Sequence, residues 1–157
     1  MCEQVGVPRP AKMDADRITT TAFVYVLEHV AIQAPRIVQR LRGFRRLGLV
    51  LHTASGDSHA DVAQYLRTLG VRDQFGRVYG SDLVNVWKAG PAYYRAILAD
   101  AGVEAGSAIL IDDSERAIAW AAECGLRGVL VRRQAGEGFE SVVLRAFDEV
   151  DSHLRRS

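Results

Sequence analysis

The stretches HTASGD (52–57), VWKAGP (86–91) and LIDDSE (110–115) carry the side chains best suited to chemistry. Asp112 and Asp113 are adjacent carboxylates. Two such charges repel, and burying both ionised costs several kcal/mol unless a cation or donors compensate. A hard divalent cation such as Mg²⁺ would satisfy them, because it takes oxygen ligands and keeps waters that a phosphate can replace. The competing reading, which these residues by themselves favour, is structural: Asp112 closes a strand and Asp113 with Ser114 caps the next helix. Thr53 offers a hydroxyl, and the N–H groups of Ala54, Ser55 and Gly56 lead into a helix whose N-terminus suits an anion. An ordinary helix cap is the competing reading there. His52, one residue earlier, reads as structural. Lys88 lies just before a helix start, where positive charge is disfavoured. A phosphate or a carboxylate nearby would explain it; a solvated surface lysine is the alternative.

Alternating apolar runs and amphipathic segments must position these groups. The spacing predicts strands at 47–53, 77–82, around 108–112 and at 128–132. It predicts helices from Thr19 to about Gly43 (broken or restarted at Pro35), after Ser58 to Gly70, from Pro91 to about Gly102, over 114–125 and over 139–154. Ser58 or Asp57 supplies the cap of one helix and Pro91 the first turn of another. Strands alternating with helices define the α/β class, a Rossmann-like three-layer parallel sheet with helices on both faces. Ligands in such sheets bind beyond the carboxyl ends of the strands, which places Thr53, Asp82, Asp112 and Asp113 along one rim.

Composition sets the outer bounds. The 157 residues are 48% hydrophobic and 25% charged, with net charge +1. These are the proportions of one globular domain, and no global field points to nucleic acid or an anionic membrane. The arginines of RIVQRLRGFRRLG read as the solvated side of a helix whose apolar side is Ile37, Leu41 and Phe44. Cys2 and Cys124 give neither a disulfide framework nor a metal-ligand spacing. Without a membrane-length apolar run or a signal-peptide layout, a cytoplasmic setting is expected.

Taken in order, a hydroxyl at a strand tip, a lysine at a helix start and an acidic pair at a later strand tip resemble the haloacid dehalogenase-like (HAD) superfamily of aspartate-nucleophile phosphohydrolases. The resemblance spans roughly residues 36–131. HTASGD resembles the second motif, WKAGPAYYRAILADAGV the third, and LIDDSERAIAWAAECGLRGVLV the fourth, in the layout of relatives of β-phosphoglucomutase. It implies a HAD-like core over 36–157 and a lead-in with a remnant of a helical cap over 1–35. It implies a Mg²⁺-dependent phosphatase of small phosphorylated metabolites: Thr53 and Lys88 catalytic, Thr53, Ala54, Ser55 and Lys88 holding phosphate, Asp112 and Asp113 holding Mg²⁺.

The family's first motif, an apolar strand ending in Asp-x-Asp, has no clear copy. Asp14 and Asp16 of MDADRIT have the mutual spacing, but Pro8, Pro10 and Lys12 before them do not suit a buried central strand. In the family that strand lies between those ending at Thr53 and Asp112, so the chain reads as a member beginning inside its cap. The alternative function is a non-catalytic phosphate- or Mg²⁺-binding regulatory module. A phospho-accepting signalling domain is excluded, since its acidic pair comes first in the chain. No nucleic-acid or membrane partner is expected, and unpaired strand edges would invite self-association.

Overall fold

A computed structural model describes residues 34–155, all within the unit Ala34–Ser157. The expectations placed on Asp14, Asp16 and the lead-in fall outside these residues. The described elements follow the order α1 (Pro35–Arg46), β1 (Leu51–Ala54), α2 (His59–Thr68), β2 (Phe75–Tyr79), α3 (Pro91–Ala101), β3 (Ile109–Asp112), α4 (Glu115–Ala122), β4 (Arg127–Leu130) and α5 (Phe139–Leu154). The α/β alternation predicted from the periodicity is present. The strands are shorter than predicted: β1 starts at Leu51 rather than residue 47, and β2 covers 75–79 rather than 77–82. Helix α1 runs past Gly43 to Arg46, with Pro35 at its start.

All strand pairs are parallel. β1 pairs with β2 and β3 with β4, and no described strand joins the two ladders. Both faces are covered, as the apolar runs require. On one face Ile109, Ile111 and Val129 pack with Leu51, Phe75, Leu41, Phe44, Phe147 and Val150, so α1 and α5 cover strands of both ladders. On the other face Leu110 packs with Tyr93, Tyr94, Ala117 and Ala121 of α3 and α4. Alternation along β3 therefore sends Leu110 one way and its neighbours the other.

Helix α1 is held to α5 by apolar and ionic contacts. Phe44 meets Phe147 edge-to-face at 5.3 Å, and Arg40 reaches Asp148 at 2.8 Å and Asp151 at 2.9 Å. Arg40 is thus a bridging residue, unlike the freely solvated arginine expected from the helical pattern. The helix predicted to reach Gly70 ends at Thr68, so Leu69 is 39% exposed, and Gly70 turns the chain with φ +65°. In α5 Phe147 and Val150 are buried, together with Val142, Leu144 and Ala146, and Val143 and Leu154 pack partly buried against the same core.

Candidate active site

The carboxyl ends of β1 and β3 meet at Lys88. Its Nζ donates to the Asp112 carboxylate at 2.7 Å and to the Ala54 carbonyl at 2.8 Å. The Lys88 and Asp112 side chains are 19% and 9% exposed. The negative partner that the position of Lys88 called for is therefore Asp112, and one ammonium ties the tips of both ladders. An ion pair this far from solvent is held only where further hydrogen bonds support it. Here the Ala54 carbonyl supports the lysine, and the Ser114 N–H donates to Asp112 Oδ1 at 2.8 Å.

The acidic pair is divided by role. Ser114 caps α4, its hydroxyl accepting from the Ala117 N–H at 3.3 Å. Asp113 takes no part in that cap. It is exposed and has no hydrogen-bond or ion-pair partner among the described residues. The sequence left capping and ligation open for both carboxylates; the structure gives the cap to Ser114 and leaves Asp113 facing solvent.

Around the tip of β1, the Thr53 hydroxyl donates to the Tyr79 carbonyl at 3.0 Å, and the Ser55 N–H donates to the same oxygen at 3.1 Å. The Ser55 hydroxyl accepts from the Asp57 N–H at 3.1 Å and closes a tight turn. Two donors expected to face an anion are thus spent on extending the β1–β2 edge. His52 has a structural role, as read from sequence. Its Nδ1 accepts from the Arg77 N–H at 3.1 Å, where the β1–β2 register shifts between Leu51 and Thr53.

Further side chains complete the site, and sequence reasoning did not assign Tyr93 or Tyr94 to it. Tyr93, fully buried, donates through its hydroxyl to the Ser55 carbonyl at 2.8 Å. Tyr94, 2% exposed beside it, has a buried hydroxyl without a partner among the described residues. Burial is the main reason both phenols are pushed far above their ordinary range, and the nearby Asp112 adds to it. Asp82, placed on the rim by sequence, binds His59 twice: its Oδ1 accepts from the backbone N–H at 2.8 Å and its Oδ2 lies 2.6 Å from Nδ1. The backbone hydrogen bond, then the ring, hold the Asp82 carboxyl below its usual range. The only sequence signal for these contacts was adjacency to the rim; a Tyr-Tyr pair in a helix reads first as core.

The model for the haloacid dehalogenase-like hydrolase family matches residues 8–125, and the chain belongs to this family. Among solved structures it is similar to CbbY from Rhodobacter sphaeroides in complex with phosphate. That match has 27% identity and a TM-score of 0.67 over 84% of this chain and 62% of CbbY. A HAD phosphatase from Thermococcus onnurineus matches at 26% identity and TM-score 0.55, over 64% of this chain and 47% of its own. The chain thus spans less than two thirds of the length of either relative. A putative β-phosphoglucomutase from Thermotoga maritima shares the fold, with TM-score 0.72 at 17% identity over 99% of this chain and 74% of its own. No curated protein matches.

Proposed function

We propose that the chain is a Mg²⁺-dependent phosphatase of small phosphorylated metabolites. The observation that carries this reading is the Lys88 ammonium, held between Asp112 and the Ala54 carbonyl with the Thr53 hydroxyl one residue away. A preorganised cation at the strand tips is what a transferring phosphoryl group requires, because charge on its oxygens must be balanced without solvent reorganisation. The likeness to a phosphate-bound CbbY structure supports the same class of ligand.

In this reading Lys88 draws a phosphoryl oxygen toward the rim while keeping Asp112 in register. Thr53 turns its hydroxyl proton from the Tyr79 carbonyl to a second oxygen; rotation about the Cβ–Oγ bond is enough. Asp113 fits a hard cation, being an exposed carboxylate with no competing partner among the described residues. Asp112 assists through lone pairs not used by Lys88 and Ser114. Few protein ligands are needed, since Mg²⁺ usually keeps several waters and takes one or two carboxylates. When bound, the cation would neutralise charge on the phosphate. Asp14 and Asp16 are the candidates for the family's nucleophile and acid/base pair.

A second reading, a phosphate- or Mg²⁺-binding module without turnover, is favoured by the residues before Asp14. Pro8, Pro10 and Lys12 are not the residue types of the apolar strand that the family's nucleophile ends. Phosphate release from a panel of phosphomonoesters, with and without Mg²⁺, separates the two. In the phosphatase reading Lys88→Ala and Asp113→Ala each lower turnover by about 100- to 1,000-fold, the loss typical of one electrostatic stabiliser. An Asp14→Ala/Asp16→Ala double variant abolishes it. A folded wild type that binds inorganic phosphate but releases none from any ester would sink the phosphatase reading and leave the binding module.

A further inference from the structure

The loop after β2 does more than lead to α3. Ser81 is buried at 8% exposure, and its hydroxyl has two partners from separate parts of the site. It donates to the Gly56 carbonyl at 3.3 Å and accepts from the Lys88 backbone N–H at 3.3 Å. The main chain of Ser81 repeats the pattern: its N–H donates to the Asp57 carbonyl at 3.3 Å, and its carbonyl accepts from the Val86 N–H at 3.1 Å. One residue therefore holds both the turn after β1 and the segment that presents Lys88. The flanking residues press the same two pieces together. A Cβ on Gly80 would collide with the Asp57 carbonyl, the His59 nitrogen and an Asp82 oxygen, so only glycine permits this approach. Asp82 then clasps His59 at the start of α2.

Lys88 needs such an anchor. It precedes α3, so no helical ladder fixes its Cα, and its side chain has four rotatable bonds with which to lose aim. We infer that Ser81 is a positioning residue: its hydroxyl sets the spacing between the Thr53–Gly56 turn and the Lys88 ammonium, so that both address one phosphoryl group. This rests on the phosphate reading above, but its geometric content does not depend on turnover. Lys88 leaves its seat when the Ser81 hydroxyl is removed.

The sequence makes that directly measurable, because Lys12 and Lys88 are the only lysines. Acetylation of Lys88 by limiting acetic anhydride, followed by peptide mass spectrometry, reports how tightly Nζ is held. Ser81→Ala is compared with wild type, with Ser81→Thr, which keeps the hydroxyl, and with Ser58→Ala, which loosens α2 at its cap without touching Lys88. Should Ser81→Ala not fold, Ser81→Cys, with a somewhat larger sulfur that is a weak donor and acceptor, weakens both hydrogen bonds and carries the same comparison. The expected result is Lys88 acetylation about tenfold faster in Ser81→Ala, restored by threonine and unchanged in Ser58→Ala; kcat for phosphate release falls about tenfold with little change in KM, as misplacement of a catalytic group predicts. Unchanged Lys88 acetylation in Ser81→Ala overturns the inference, as does an equal rise in Ser58→Ala. If the wild type releases no phosphate while the acetylation pattern holds, the positioning stands and the phosphatase reading falls.

Discussion

Tyr93 and Tyr94 are neighbours in sequence, equally buried, and opposite in energetic sign. The Tyr93 hydroxyl has the Ser55 carbonyl; the Tyr94 hydroxyl has nothing among the described residues. Removing one partner of a buried hydrogen bond leaves the other unsatisfied, whereas removing an already orphaned hydroxyl relieves its desolvation. Tyr93→Phe is expected to destabilise the fold by about 1–3 kcal/mol, and Tyr94→Phe to leave it unchanged or stabilise it by a similar amount. Urea denaturation midpoints of the two variants check this, and a loss of stability in Tyr94→Phe would show that its hydroxyl has a partner. At this scale the sequence was legible where a residue was out of place. Lys88 at a helix start demanded an anion, and Asp112 supplies it from 24 residues away. It was illegible where the residue type fits anywhere. Ser81 looks like any turn serine, and only the fold brings Gly56 and Lys88 to either side of it.

The junction between β3 and α4 shows how an element divides labour among adjacent residues. Asp112 ends the strand and binds Lys88 and the Ser114 N–H. Ser114 starts the helix, and the glutamate that follows sits favourably in its first turn. Packing then fixes the helix on the sheet: a Cβ at Gly128 would press into the Ile118 side chain, so α4 lies close over β4 only because glycine is there. Ser114→Ala is expected to cost about 0.5–2 kcal/mol, the usual range for a lost N-cap. Thermal melts check that figure. Asp113→Ala, which removes no cap, is expected to leave the melt unchanged while affecting phosphate release, and a comparable drop in its melting temperature would put Asp113 in the cap after all. Element types were legible from period and punctuation, since Pro91, Ser58 and Gly102 mark ends that the structure keeps. Strand limits were not. Apolar residues 47–50 continue the pattern of β1, yet Leu47 and Val50 are 70% and 67% exposed, because hydrophobicity alone does not say where pairing begins.

On the scale of the molecule, the described strands form two parallel ladders joined by shared side chains rather than by a common strand. Helices α1 and α5 cover both through Leu41, Phe44, Phe147 and Val150, and Lys88 links their tips. The α/β class and the rim were legible because alternating periods and strand ends are local properties. The described ladders part between β1 and β3, where the family resemblance puts the strand of its first motif.

The two ladders also differ in quality. β3 and β4 pair through four consecutive residues from Ile109 to Asp112. β1 and β2 lose register between Leu51 and Thr53, and the His52 imidazole takes the Arg77 N–H. A ring nitrogen on a rotatable side chain lets go more readily than a carbonyl fixed in a ladder, and local opening follows the weakest such bond. In deuterated buffer the Arg77 amide is therefore expected to exchange well before those of Ile111 and Val129. Equal protection across both ladders would mean that the bulge is as firm as the regular pairing. Otherwise the molecule breathes first on the side of His52, and Thr53, one residue away, is the part of the site that feels it.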